Sequence, residues 1–352
     1  MIEVDISNIW GSISLRDLLA IEKDVFDAHL TLTEENSPWL GLPTADPILL
    51  AEMGEEVREC SEILVVLGSD GFAEGLLDLF GQAEGLEILY VPSSFSEHYR
   101  SRLLRRLEGR PYSICLGGVT RFWDTLLLRE LKWILERRYG TDEANARIHE
   151  DPFGLLVLAA GGMDVGRLLS GIREAAEEMD LRSYENPAWL YAAARHLLAR
   201  NTGELLIYDD PDYAGLGNWW QQLFGSGVPV SLCQRLEPAF CGEHGLDTML
   251  RFETEAGGAP ITETAGDPGG VNFLSGRTLG QVTEEVWDGL LEADLDTGIP
   301  ALTIQCPAPD AHTLGQLFWL FHLASALCRR MSNPDCAGLE EALLRHLGRP
   351  ED

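Results

Sequence analysis

Three short apolar runs, each stopped by glycine or proline and each separated from the next by helix-like sequence, constrain this chain most. Glu62-Ile63-Leu64-Val65-Val66-Leu67-Gly68 reads as a buried strand closing in a glycine-rich turn. Glu87-Ile88-Leu89-Tyr90-Val91, stopped by Pro92, reads as its neighbour, and Tyr112-Ser113-Ile114-Cys115-Leu116 as a third strand ending at Gly117-Gly118. Runs this short and this continuously apolar suit strands buried on both faces. Arg121 to Tyr139 instead repeats its apolar residues at three- and four-residue intervals, the period of a helix. Strands alternating with helices predict an α/β fold, a mainly parallel sheet with helices on both faces.

A second alternating set follows. Asn186-Pro187-Ala188 opens a helix over Trp189 to Arg200, which Asn201-Thr202-Gly203 ends. Leu205 to Tyr208, Thr248 to Phe252 and Ala301 to Gln305 read as strands, separated by helical stretches at Gly217 to Phe224 and Thr283 to Leu291. Gly257-Gly258-Ala259-Pro260 and Gly266-Asp267-Pro268-Gly269-Gly270 are loops by their turn chemistry. His312 to Met331 is apolar nearly all round, which predicts a helix sandwiched between layers. Trp219-Trp220 lies on an apolar helix and reads as core rather than as a stacking platform.

Charge narrows the function. A net charge of −31 over 352 residues repels phosphate backbones and anionic lipid, so neither nucleic acid nor a membrane surface is an expected partner. No apolar run approaches the roughly 20 residues of a membrane span, and Met1-Ile2-Glu3-Val4-Asp5 lacks the pattern of a secretion signal, so a cytoplasmic protein is expected. Seven scattered cysteines without C-x-x-C spacing predict reduced thiols and no metal site. Gly68-x-x-Gly71-x-x-x-Gly75 is not the dinucleotide fingerprint, and no Walker loop or G-x-S-x-G elbow occurs, so no cofactor is expected.

Several segments, in order, resemble the glucose-6-phosphate isomerase family. They are Trp39-Leu40-Gly41-Leu42-Pro43, Leu64 to Gly75, Asn186-Pro187-Ala188, Trp220-Gln221-Gln222-Leu223, Gly298-Ile299-Pro300, Thr313 to Leu317, and Asn333 to Glu340. The resemblance covers about residues 38 to 345 and implies two sugar-isomerase (SIS) type, doubly wound domains with flanking helices. It divides the chain into an N-terminal segment 1–43, a first domain 44–200, and a second domain 201–352 with C-terminal helices. It also implies a sugar or sugar-phosphate ligand and a homodimer.

The family's chemistry needs a base that carries a proton between C1 and C2, a group that helps open the ring, and a phosphate cradle, tasks suited to a carboxylate, a histidine and loop amides. Against the pattern W-x-Q-L-x-x-E-S-x-G-K, Ser226 stands where the glutamate base belongs, and Pro229-Val230 replace the Gly-Lys pair. In the first loop, Gly68-Ser69-Asp70-Gly71-Phe72 puts Phe72 in place of a serine and adds an acid, both opposed to phosphate binding. In the second loop only Gly118 and Thr120 survive, while Arg121 could supply a new cation. The glycines of both loops read equally well as tight strand-to-helix turns. Counting back from Gly154-Leu155-Leu156 places the family arginine at Ala146, with Arg147 adjacent. The terminal lysine aligns with Leu343, and the only lysines are the distant Lys23 and Lys132. Arg345 is close, but its guanidinium stays protonated.

His244 matches the family's histidine, with a structural role as the alternative reading; the adjacent Glu243 and Asp247 are weak candidates for a replacement base. The expected site residues are therefore His244 for catalysis and Gly68, Gly71, Gly118, Thr120, Arg121, Arg147 and Ser226 for binding. Three functions follow: an isomerase-like protein with weak or no aldose–ketose isomerase activity, an active isomerase using His244 and a relocated carboxylate, and a non-catalytic binding or regulatory subunit.

Overall fold

The computed structural model describes residues 1–35, 38–92, 96–118, 121–199, 202–225, 230–233, 245–253 and 258–332. Its strands are β1 (Glu3–Asp5), β2 (Ile63–Leu67), β3 (Glu87–Val91), β4 (Tyr112–Leu116), β5 (Ile148–Glu150), β6 (Glu204–Ile207), β7 (Val230–Cys233), β8 (Leu246–Phe252) and β9 (Ala301–Cys306). Its helices are α1 (Leu15–Glu35), α2 (Pro47–Cys60), α3 (Phe72–Phe80), α4 (Glu97–Leu107), α5 (Phe122–Tyr139), α6 (Thr141–Ala146), α7 (Leu155–Ala160), α8 (Val165–Glu178), α9 (Pro187–Leu198), α10 (Ala214–Phe224), α11 (Leu279–Thr297) and α12 (Ala311–Ser332).

The strands form two sheets, ordered β3-β2-β4-β5 and β1-β9-β8-β6-β7. Every pairing is parallel except that of β1 with β9. The expected α/β fold with mainly parallel sheets is therefore present. In the first sheet the chain leaves β2 towards β3 and then returns past β2 to β4, so the direction of winding reverses between β2 and β4. In such sheets ligands bind outside the carboxyl ends of the strands at this reversal.

Strand periodicity explains the layers. Ile63, Val65 and Leu67 point to one side and pack with Leu103, Leu107, Leu131 and Leu135 of α4 and α5. Leu64 and Val66 point to the other side, into a large core shared with α3, α7, α8, α9, α10 and α12. Leu206, Leu250, Leu302 and Ile304 enter this same core from the second sheet, while Leu205, Ile207 and Met249 face Trp287 of α11. A layer of helices thus lies between the two sheets, with further helices outside.

The sandwiched helix read from the apolar run at 312–331 is α12, buried almost continuously from Thr313 to Cys328. Its backbone meets that of α8 directly. A Cβ at Gly315 would lie 2.1 Å from the Leu168 carbonyl oxygen, and one at Gly171 would lie 1.9 Å from that of His312. Trp219 and Trp220 are fully buried, as their apolar helix predicts.

A polar network ties α9 and α10 to the second sheet. Glu204 on β6 is fully buried, forms a salt bridge with the buried Arg195, and accepts hydrogen bonds from the hydroxyls of Tyr191 at 2.8 Å and Thr248 at 2.6 Å. Tyr191 in turn accepts a bond from the Trp220 indole at 2.8 Å, and Arg195 also donates to the Phe224 carbonyl at 2.9 Å. Each charge is neutralised and bonded, which is what makes its burial tolerable. Arg195→Met removes the cation and leaves Glu204 charged and buried, a loss of about 3–5 kcal/mol. Urea denaturation measures it, and a double variant that also neutralises Glu204 recovers part of the loss.

Asp247 and Asp294 form a less satisfied pair. Both are buried, and each keeps a carboxyl oxygen without a hydrogen-bond partner among the described residues. Burial first, then Asp294 and Glu204, push Asp247 up to about 7, and burial alone pushes Asp294 up to about 6. The unfolded chain releases these protons near pH 4 whereas the folded chain holds them, so folding stability falls as pH rises towards 7. Asp247→Asn should therefore gain stability over the wild type between pH 4 and pH 8, by on the order of 1–3 kcal/mol, in urea melts at the two pH values.

Candidate functional site

The winding reversal of the first sheet opens into a cleft of about 520 Å³, lined by Gly68, Ser69, Gly71, Glu74, Tyr90, Val91, Pro92, Arg121 and Gln222. This volume suits a small organic ligand. Gly68, Ser69 and Gly71 form the loop after β2, Tyr90 to Pro92 end β3, Glu74 sits in the first turn of α3, and Arg121 precedes α5. Gln222 comes from the Trp-Gln-Leu segment on α10, in the other half of the chain.

Close backbone packing brings Gln222 there. Gly75 of α3 and Gly215 of α10 lie face to face, so that a Cβ on Gly215 would stand 2.4 Å from the Gly75 Cα. One turn earlier, Gly71 holds φ +90°, and a Cβ there would lie 2.8 Å from the Gln222 Nε2. Glycine at these positions lets α10 lie against the first loop and carry its amide over the cleft.

Phe72, which replaces a serine of the family pattern, turns away from the cleft. It is fully buried, with ring centroids 4.7 Å from Trp219 and 4.6 Å from Phe318. A position that could have offered a hydroxyl to a ligand has become part of the aromatic junction of α3, α10 and α12.

One acid, Glu74, lines the cleft beside Ser69, Tyr90, Gln222 and Arg121, and two buried acids, Asp70 and Asp151, belong to the loops around it. Glu74 is held above the usual carboxylate range by partial desolvation and by Asp78. Beneath it, Asp70 is raised by burial while accepting a bond from the Phe72 amide at 3.0 Å. Asp151, after β5, is pushed up to about 6 by burial, against the amides at the start of α7 that bond it, with Asp70 adding to the rise. The Tyr90 hydroxyl is buried without a hydrogen-bond partner among the described residues, and its ionisation is pushed up by burial and then by Glu74 and Asp78. Among the lining residues Arg121 is the one cation, and it is exposed at the rim. A carboxyl, a phenol, a serine and an amide around one cavity can bond several hydroxyls at once.

Of the residues expected from the sequence, Gly68, Gly71 and Arg121 meet in the cleft. Gly118 lies beside it, its amide donating to the Pro152 carbonyl at 3.1 Å. Arg147 does not join them. It precedes β5 and bonds the Cys60 carbonyl at 2.8 Å, pairs with Glu143, and stacks over Tyr139. Cys60 precedes β2, so Arg147 sits at the amino end of the strands, with the sheet between it and the cleft. Its contacts here are structural ones, away from the cleft. Asp247 begins β8 in the second sheet, is buried with Asp294, and does not line the cleft either. Thr120, Ser226 and His244, together with Leu343 and Arg345, lie outside the described residues.

Glu74 and Tyr90 were not among the expected residues. Glu74 replaces an apolar residue of the family's S-x-L-G segment, and that gained acid is the signal that could have singled it out. Tyr90 reads as one more apolar strand residue, and nothing local marks its hydroxyl.

No family model matches the chain. Curated proteins named glucose-6-phosphate isomerase match it over most of both chains. That of Heliobacterium modesticaldum is 26% identical over 88% of this chain and 86% of its own. That of Leuconostoc mesenteroides is 25% identical over 90% and 87%. Among solved structures, a hypothetical protein from Thermus thermophilus superposes with a TM-score of 0.75 at 19% identity, covering 99% of this chain and 100% of its own. A glucose-6-phosphate isomerase from Chlamydia trachomatis gives 0.61 at 11% identity, covering 86% and 72%. The fold, two mainly parallel sheets with helices between and outside them, is shared with the Chlamydia trachomatis isomerase. The agreement in sequence runs along nearly the whole length, so the chain is similar throughout to proteins named glucose-6-phosphate isomerase.

Proposed function

We propose that this chain is a sugar-binding, glucose-6-phosphate isomerase-like protein whose own aldose–ketose isomerase activity is weak or absent. The observation that carries the reading is the cleft at the winding reversal. It is assembled from two segments that resemble the family pattern, the loop after β2 and the Trp-Gln-Leu helix, which supports reading it as the ligand site. The chemistry is another matter, because Ser226 stands for the base and Leu343 for the lysine. The Arg147 guanidinium, nearest in sequence to the family arginine, serves the opposite end of the sheet. Loss of a positioned proton carrier typically costs about 10²–10⁴ in rate, and two such losses compound.

One observation favours a second reading, in which the protein remains an isomerase with a relocated base. Glu74 brings a carboxyl into the cleft, with its ionisation raised above the ordinary value by burial and then by Asp78. Under either reading the working units are 44–200 and 201–352 with the segment 1–43, in a cytoplasmic homodimer. Strand β1 of that segment pairs with β9. Among the described residues no helix is long and apolar enough to cross a membrane.

Conversion of fructose 6-phosphate to glucose 6-phosphate, followed in a coupled assay beside the Heliobacterium modesticaldum isomerase, separates the two. The first reading expects kcat/KM at least about 10³-fold lower for this protein. Turnover within tenfold of the relative, and lost in Glu74→Gln or in His244→Ala, would establish the second.

A further inference from the structure

Three helices begin at the carboxyl edge of the first sheet, and at each the chain's own side chains have taken amides that an anion would use. At α3 the Gly71 amide donates to the Ser69 hydroxyl and the Phe72 amide to the Asp70 carboxylate, both at 3.0 Å. At α5 the Arg121 amide donates to Asp124 at 2.7 Å. At α7 the Val157 amide donates to Asp151 at 2.9 Å. A phosphate held by a sheet of this kind relies on such free amides and on the positive end of the helix dipole. Here a hydroxyl and a carboxylate at α3, and a carboxylate at each of α5 and α7, already hold amides at these helix starts.

The charge around the cavity points the same way. Asp70 is close enough to Asp151 to raise its ionisation, and Glu74 lies in the wall. Against these stands Arg121, at the exposed rim. A dianion entering the cleft would meet one solvated guanidinium, the Glu74 carboxyl in the wall and the buried Asp70 between the lining residues Ser69 and Gly71, so it would give up its hydration without equivalent bonds in return. A neutral polyol has no such difficulty: Glu74 and Gln222 can bond its hydroxyls, and the unpartnered Tyr90 hydroxyl gains a partner.

We infer that the cleft selects an unphosphorylated, hydroxyl-rich sugar over the corresponding 6-phosphate. The inference rests on the sugar-binding reading above and narrows it to a class of ligand. It is tested by titrating the full chain calorimetrically with glucose, fructose, their 6-phosphates and inorganic phosphate. The expected result is that at least one free sugar binds and that its 6-phosphate binds at least tenfold more weakly, with no heat from inorganic phosphate. Asp70→Gly frees the Phe72 amide and removes a charge, and should narrow that ratio at least severalfold. Glu74→Gln, which leaves the loop intact, should weaken the free sugar. A 6-phosphate that binds more tightly than its parent sugar overturns the inference and leaves the sugar-binding reading standing. If neither the sugars nor their phosphates bind the wild-type protein, both fall.

Discussion

The buried Arg195–Glu204 pair is the interaction on which the arrangement of the site depends. Glu204 holds β6 to α9 through Arg195 and Tyr191, and Tyr191 passes the connection to Trp220 on α10. Arg195 also fixes the end of α10 through the Phe224 carbonyl. In this arrangement Gly215 of α10 lies against Gly75 and Gln222 stands over the first loop. A charge pair far below the surface thus helps to hold the helix that brings a side chain from the second half of the chain to the cleft of the first. Its value lies in this registration more than in net stability, since a buried pair roughly offsets its own desolvation.

The same helix carries core residues and a cleft residue side by side. Packing constrains Trp219, Trp220 and Leu223, all buried, so they persist as recognisable sequence. Phe72 shows the opposite case, where a small polar position beside the ligand has been taken over by the aromatic core. Asp70, Asp124 and Asp151 cap helices, which stabilises each helix start and also closes it to an external anion.

Much of the fold was legible in the sequence, because β2, β3, β4, β6, β8 and β9 are compact apolar runs and α12 is apolar all round. Strands β1 and β5 were not, since three residues such as Ile148-His149-Glu150 carry too little pattern to register. Gly68, Gly71 and Arg121, singled out by glycine chemistry and alignment, meet in the cleft. Arg147 lies away from it, because sequence adjacency to a family position says nothing about which end of a strand a side chain serves. Glu74 and Tyr90 were missed because their importance arises only when α3 and β3 converge on the same cavity. Gln222 was visible as a motif residue, but the packing that makes it a lining residue depends on two glycines more than a hundred positions apart.

On the proposed reading, a protein with this fold and cleft carries out little or no enediol proton transfer. Incubation of fructose 6-phosphate with the protein in D2O tests this, because any enediol chemistry exchanges the C1 hydrogen even when net conversion is slow. The expected result is deuterium incorporation at least about 10³-fold slower than with the Heliobacterium modesticaldum isomerase at equal concentration. Incorporation within about tenfold of that enzyme, and lost on substitution of a cleft residue, would contradict the reading.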